Sequence, residues 1–166
     1  VPTVDIVAMV EAGLAVNAVV IVDEANAEFR RAGTPSALEL LAKYPNLMVS
    51  RTMSKAFGLA GARLGYAVAS TALIDALRIV RLPYHLSAVT QAVAITALQH
   101  AAVLQAQVAT LRKERDSLAT WLVEQGYRVA QSDANFILVG GIANPEKTWQ
   151  DLLDRGILVR NVGIPN

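Results

Sequence analysis

Two short stretches of this sequence hold residue types that can do chemistry together. In Val22-Asp23-Glu24-Ala25 a pair of acids ends a β-branched hydrophobic run over residues 18–22. Carboxylates at the carboxyl end of a buried strand face the place where open α/β sheets bind ligands, although strand ends are also acidic for solubility. The second stretch, Ser50-Arg51-Thr52-Met53-Ser54-Lys55-Ala56-Phe57-Gly58-Leu59-Ala60-Gly61-Ala62-Arg63-Leu64-Gly65, places a lysine among small and apolar residues instead of on a charged face. Desolvation in such surroundings lowers an amine's pKa and makes it a better nucleophile. The hydroxyls of Thr52 and Ser54, the glycines and the Arg63 guanidinium form a set able to wrap a phosphate.

The acidic strand end by itself is also similar to the magnesium-holding segment of a nucleotide hydrolase. That chemistry needs a Gly-x-x-x-x-Gly-Lys-Ser/Thr loop, and the sequence has none. Taken together, the two stretches supply what pyridoxal phosphate demands. Asp23 would pair with the pyridinium nitrogen and keep it protonated. Lys55 would form the Schiff base and, once displaced by substrate, move a proton between Cα and C4′.

The elements that must position these groups are legible from periodicity. A helix is expected over residues 4–14 with Thr3 as its cap, a strand over 18–22, and a helix opened by Thr34, Pro35 and Ser36 and running through Lys43. Strands follow over 47–51 and 64–69, with the irregular, glycine-bearing stretch 54–65 overlapping the second. A helix over 71–80 capped by Thr71, a break at Leu82-Pro83-Tyr84, a helix from Ser87 to about His100, and a long helix from Ala101 to Gln125 stopping at Gly126 come next. After it the pattern becomes strands over 127–130 and 136–139, a helix over 145–155 and a strand over 157–160. The expected division is therefore residues 1–100, a connecting helix 101–126, and a small α/β lobe 127–166.

Composition bounds the partners. The chain has 166 residues, 54% hydrophobic and 17% charged, and a net charge of +1, so it can bury a core and carries no basic footprint for nucleic acid. No apolar run reaches membrane-spanning length, because Asp5, Glu11, Asp23 and Glu24 interrupt the hydrophobic opening. Zero cysteines remove disulfides and thiolate metal sites, and His85 and His100 do not make a histidine cluster, so no metal is expected and the setting reads as cytoplasmic. The sequence starts at Val1 and ends just after Gly163-Ile164-Pro165, and it is expected to be part of a larger protein.

The stretches Ile21-Val22-Asp23-Glu24-Ala25, Arg51 to Gly61, Arg63-Leu64-Gly65-Tyr66 and Ser132-Asp133-Ala134-Asn135-Phe136 resemble the histidinol-phosphate aminotransferases, fold-type I pyridoxal phosphate enzymes. Leu82-Pro83-Tyr84-His85-Leu86-Ser87 is similar to the segment that family carries after its large-domain helix. The resemblance runs from about Ala18 to the end. It implies an α/β fold in which part of a mainly parallel large domain is joined by a long helix to a small C-terminal domain. It further implies Asp23 on the pyridine nitrogen, Lys55 as the Schiff-base lysine, and Ser54 and Arg63 on the cofactor phosphate. The implied reaction moves an amino group from a small-molecule donor, L-histidinol phosphate, to 2-oxoglutarate, in an obligate homodimer with its site at the subunit interface.

Three departures accompany the resemblance. The family's tyrosine in Asp-Glu-Ala-Tyr, which donates to the cofactor's phenolic oxygen, is Asn26 here. The upstream phosphate ligands and ring-stacking residue that the family implies are not in this sequence, and neither is the arginine for the substrate carboxylate. An aromatic amino acid aminotransferase shares the same lysine loop, and a truncated non-catalytic module for binding or dimerisation is the alternative of another class. Among other residues, His85 reads as a structural or exposed turn residue and His100 as a helix-end dipole partner. Trp121 and Trp149 read as core anchors, residues 112–116 as a solvated helix face, and Asn135 either as a turn former or as a group that orients substrate.

Overall fold

The computed structural model describes residues 1–163. It divides into two compact units, Val1–Arg112 with Asp133–Asn135, and Lys113–Ser132 with the residues from Phe136 onward. The division falls inside the long helix expected to connect two lobes. Of the expected turn at Gly163-Ile164-Pro165, only Gly163 lies within the described residues.

In the first unit, helix α1 (Thr3–Ala15) turns Ile6, Val10 and Gly13 inward at helical spacing. Thr3 is its first residue and not its cap; Pro2, with φ −61° and ψ 147°, takes the cap position and makes no side-chain cap bond. Strands β1 (Val20–Asp23), β2 (Leu47–Thr52) and β3 (Gly65–Ala69) form one sheet in sequence order. β1 and β2 run parallel with Asp23 opposite Ser50. β3 runs antiparallel to β2 with Gly65 opposite Thr52, so these three strands join one parallel and one antiparallel pairing. Residues 53–64 hold only the 3₁₀ turn Ala60–Ala62, and without a crossover helix the chain can return only antiparallel.

The core lies between α1 and this sheet. Val10, Leu47 and Val49 are completely buried, with Ile6, Ala37 and Tyr44 packed around them. Each such aliphatic side chain contributes about 1.5–3 kcal/mol relative to exposure. The helix expected from Ser36 to Lys43 is a shorter 3₁₀ segment, Ala37–Leu40, opened by a capping box between Ser36 and Glu39. At its start the Ser36 hydroxyl and the Ala37 N–H are also held by Glu24, whose carboxylate engages donors that have no partner inside the helix.

Helix α2 (Thr71–Val80) starts after Ser70, whose hydroxyl bonds Pro45 O and leaves the helix without a side-chain cap. Helix α3 (Ala88–Gln99) is capped by Ser87, which accepts from Thr90 N at 3.0 Å, and His100 ends it. Helix α4 spans Ala101–Glu124 and is followed by Gly126 at φ 89°, as the glycine stop implied. Within the first unit, Phe29, Ala56 and Val108 form a second buried cluster with Phe57 against it.

The second unit is sparser. The strands expected over 127–130 and 136–139 reduce to an antiparallel pair, β4 (Arg128–Val129) and β5 (Val139–Gly140). Helix α5 (Pro145–Leu153) has proline in its first turn and Asn144 as its cap. Residues 157–160 form no strand: Ile157 N bonds Leu152 O, and Val159 O accepts from Trp149 Nε1 at 3.0 Å, so the segment folds back on α5 instead of pairing with a ladder. Trp121 is 53% exposed and Trp149 37%, so neither anchors a core among the described residues. Within the charged run 112–116, Arg115 departs from the solvated face; it is buried and paired with Asp116 at 2.7 Å. No single helix among the described residues is long and apolar enough to cross a membrane.

Candidate functional site

Sheet register brings the sequence-predicted groups to one edge. Asp23 is the last residue of β1 and lies level with Ser50; β2 runs on to Thr52, and Ser54 and Lys55 follow it. Arg63 precedes the start of β3, whose Gly65 pairs with Thr52. Met53 N donates to Leu64 O at 3.1 Å and continues the ladder one rung, so Lys55 and Arg63 emerge from opposite arms of one closed loop. Gly65 is required by close approach, because a Cβ there would lie 2.8 Å from Arg51 O. Inside the loop Met53 and Ala56 are buried while Lys55 between them is exposed.

The polar atoms at this edge are only partly engaged. Asp23 Oδ1 accepts from Ala25 N at 3.0 Å and from the Ser50 hydroxyl at 3.3 Å. The Thr52 hydroxyl donates to Ser54 Oγ at 2.9 Å and accepts from Ser54 N at 3.1 Å, which fixes the turn into Lys55. Arg63 has φ 49°, a left-handed conformation that a long side chain seldom adopts, and donates to Ala60 O at 3.1 Å. Asn26 opens the 3₁₀ turn Ala27–Phe29 without capping it, and its Oδ1 is buried with no hydrogen-bond partner. Phe29 from that turn packs against Ala56, the neighbour of Lys55.

Glu24 is the most heavily bonded acid here. Its carboxylate accepts from Arg51 Nη2 at 2.7 Å and Nε at 3.1 Å, from the Ser36 hydroxyl at 2.8 Å, from Ala37 N at 2.7 Å and from Arg30 Nη1 at 3.4 Å. Burial alone would raise its pKa, but the Ala37 N–H, the bonds from Arg51 and Ser36, and the charge of Arg51 outweigh burial and hold it below the ordinary carboxylate value. Arg51 behaves reciprocally: burial opposes its charge, and Glu24 together with Tyr66 restores and strengthens it.

The structure thus gathers Asp23, Ser54, Lys55 and Arg63 beyond one sheet edge and sets Asn26 on the loop leaving β1. It does not desolvate Lys55 as its small neighbours implied; side chains as short as Ser54, Gly58 and Ala60 leave the amine uncovered. Sequence reasoning missed Arg51 and Ser36 as partners of Glu24. The signal was available in the pairing, since aligning Asp23 with Ser50 puts Glu24 beside Arg51. His85 is an exposed turn residue whose Nδ1 lies 2.9 Å from Leu82 O. The apolar cavity of about 520 Å³ lined by Phe57, Ala92, Val93, Thr96, His100 and Leu104 includes none of the gathered groups, and the chemistry is read from the sheet edge.

Comparison with known proteins places the chain in a family. The family description "aminotransferase class I and II" matches residues 1–166. The histidinol-phosphate aminotransferase of Thermobifida fusca is 63% identical over 147 residues, covering 89% of this chain and 40% of that protein. The crystal structure of histidinol-phosphate aminotransferase from Sinorhizobium meliloti in complex with pyridoxal-5′-phosphate superposes with TM-score 0.74 at 30% identity, over 88% of this chain and 41% of the other. The enzyme of that name from Clostridium acetobutylicum, at 24% identity, shares the fold with TM-score 0.81 over 95% of this chain and 50% of the other. The chain therefore spans about half or less of the length of the proteins it matches.

The depressed pKa of Glu24 makes a stability prediction with a defined sign. Its contribution is fully present above the ordinary glutamate pKa and is lost as pH falls through that value towards the lower folded one. Glu24→Gln would leave Arg51, whose side chain is only 16% exposed, without its carboxylate. The expected cost near neutral pH is about 3 kcal/mol, shrinking below about pH 4. Urea unfolding of both proteins across that range measures it, and a gap independent of pH would contradict the assignment.

Proposed function

This chain belongs to the aminotransferase class I and II family, and from that premise we propose that it forms the lysine-bearing part of a pyridoxal phosphate-dependent histidinol-phosphate aminotransferase. The observation that carries the reading is that Asp23 ends β1 and Lys55 follows the carboxyl end of the adjacent parallel β2, each with polar atoms that the described residues leave unengaged. The 63% identity to a histidinol-phosphate aminotransferase supports L-histidinol phosphate as amino donor and 2-oxoglutarate as acceptor. On this reading residues 1–100 belong to the cofactor-binding domain, 101–126 connect, and 127–166 belong to the small domain.

The residues fit the cofactor by the chemistry of their donor set. Asp23 has a second carboxylate oxygen available to accept a hydrogen bond from a ring nitrogen, and its negative charge keeps a proton there. Ser54 and Arg63 offer a hydroxyl and a guanidinium to the phosphate, with the strained backbone at Arg63 setting where that charge points. Asn26, with its buried unbonded amide oxygen, has a carboxamide whose half-turn would present N–H to a phenolic oxygen. Pyridoxal phosphate supplies, when bound, a carbonyl for the amine to attack and a ring that draws electrons from Cα. Lys55 would hold that carbon through its amine and, once freed by the substrate amine, would move a proton between Cα and C4′.

A cytoplasmic homodimer with a shared site completes the proposal. Apolar side chains left in solvent on α2 and α3, such as Ile79 at 84% and Val89 at 73%, support a surface that is covered in the assembled enzyme.

Three outcomes test the reading in the whole protein that carries this chain. Borohydride treatment with pyridoxal phosphate should fix the cofactor on the Lys55 peptide, and amino transfer from histidinol phosphate should exceed transfer from aromatic amino acids. Labelling at Lys43 or Lys147 with Lys55 untouched would overturn it. Asp23→Asn should reduce transfer by at least about 100-fold by removing the charge that holds the ring-nitrogen proton, which steady-state kinetics reads directly. Asn26→Tyr should lower the pH midpoint of the bound cofactor's absorption band and tighten its binding; an unchanged midpoint would mean that position 26 does not reach the ring oxygen.

A further inference from the structure

A long-range polar contact outside the lysine edge joins Arg31 to Asp133, 102 residues later in the sequence. Arg31 N and Nε both donate to Asp133 Oδ1 at 2.9 Å, and Nη2 donates to Oδ2 at 2.8 Å. Parallel guanidinium–carboxylate bonds reinforced by a backbone N–H define direction as well as distance. Both partners sit in frames that are themselves fixed. On one side, Phe29 is 2% exposed and packed on Ala56, and Arg30 bonds Glu24, Ala27 O and Pro35 O, so Arg31 leaves a loop pinned on either flank. On the other, Ser132 Oγ donates to Phe136 O at 2.6 Å and closes the turn that contains Asp133.

The short segment Asp133–Asn135 belongs to the first unit, while the chain on both sides of it belongs to the second. Within the first unit, Asp133 therefore holds its short segment against the loop that packs beside Lys55. Asn135, two residues on, is exposed and carries a carboxamide able both to donate and to accept. We propose that Arg31 is a positioning residue whose bidentate pair with Asp133 docks the 133–135 segment on the 26–31 loop and thereby sets where Asn135 meets the amine substrate. This rests on the aminotransferase reading for the identity of that substrate, but the docking itself does not.

The side chains of the pair are 39% and 36% exposed, so salt should weaken the latch, as it does not weaken buried pairs. In the whole enzyme, Arg31→Gln should speed amide hydrogen exchange across residues 132–136 by about three-fold or more and raise KM for the amine by about five-fold, with kcat changing less. The cofactor band should be unchanged. Arg31→Lys, which keeps the charge but loses the fork, should rescue only part of the protection. Raising ionic strength should move the wild type towards Arg31→Gln. As a control, Lys147→Gln breaks the more exposed Lys147–Asp151 pair and should alter neither readout. Unchanged exchange at 132–136 in Arg31→Gln would overturn the docking role, and faster exchange with an unchanged KM would overturn the positioning role. Failure of the aminotransferase reading would appear separately, as no cofactor fixed on Lys55.

Discussion

The buried carboxylate of Glu24 is the constraint on which the rest of the site depends. It sits immediately after Asp23 and binds at once the neighbouring strand through Arg51, the following loop through Arg30, and the start of the 3₁₀ segment through Ser36 and Ala37. Glu24 N also donates to Ser50 O at 2.9 Å, carrying the parallel pairing one residue past β1. A carboxylate only 10% exposed is costly to desolvate, and here four separate groups answer it. An apolar side chain of similar volume would pack as well but could not specify direction, because only hydrogen bonds distinguish one orientation of the strand end from another. The consequence is that Asp23, though exposed, projects from a backbone held on both sides.

The lysine loop is built by a different device. Its frame is apolar and its tip is small: Met53 and Ala56 bury themselves, the Met53–Leu64 rung closes the base, and the glycine at 65 lets two backbones approach more closely than any Cβ would allow. Substituting there would push β3 away from β2 and displace Arg63 with it. Short side chains around Lys55 leave the amine open, as the proposed role of a nucleophile displaced by substrate would require. Exposure of the amine and burial of its neighbours are thus complementary parts of one arrangement.

How much was legible in the sequence follows from the range of each interaction. The acidic strand end and the lysine loop were readable because their information is local: a β-branched run, then acids; a strand, then small residues. Helices α3 and α4 and the Gly126 stop were equally local, since caps and φ preference lie within a few residues. The antiparallel direction of β3 was not legible, because strand direction is set by what intervenes, and residues 53–64 hold no crossover helix. The helix expected from Ser36 through Lys43 is a 3₁₀ segment that ends at Leu40, a difference of helix type that periodicity over so few residues cannot register. The strand expected over 157–160 failed for want of a partner, since propensity supplies a conformation and not a ladder. Arg31 and Asp133, each an ordinary surface charge in its own context, carry no local sign that they meet.

Two ionic networks consequently divide the work by their exposure. Around Glu24 the partners are 10–25% exposed, beyond the reach of ordinary salt screening, and they fix backbone that must hold Asp23 in place. Between Arg31 and Asp133 the side chains are more than a third exposed, so water competes with the pair and its net stabilisation is small despite good geometry. A weak but directional bond suits the proposed placement of the 133–135 segment, whereas a more buried network suits holding a strand end. The same two residue types, arginine and carboxylate, serve both purposes, and solvent access alone decides which.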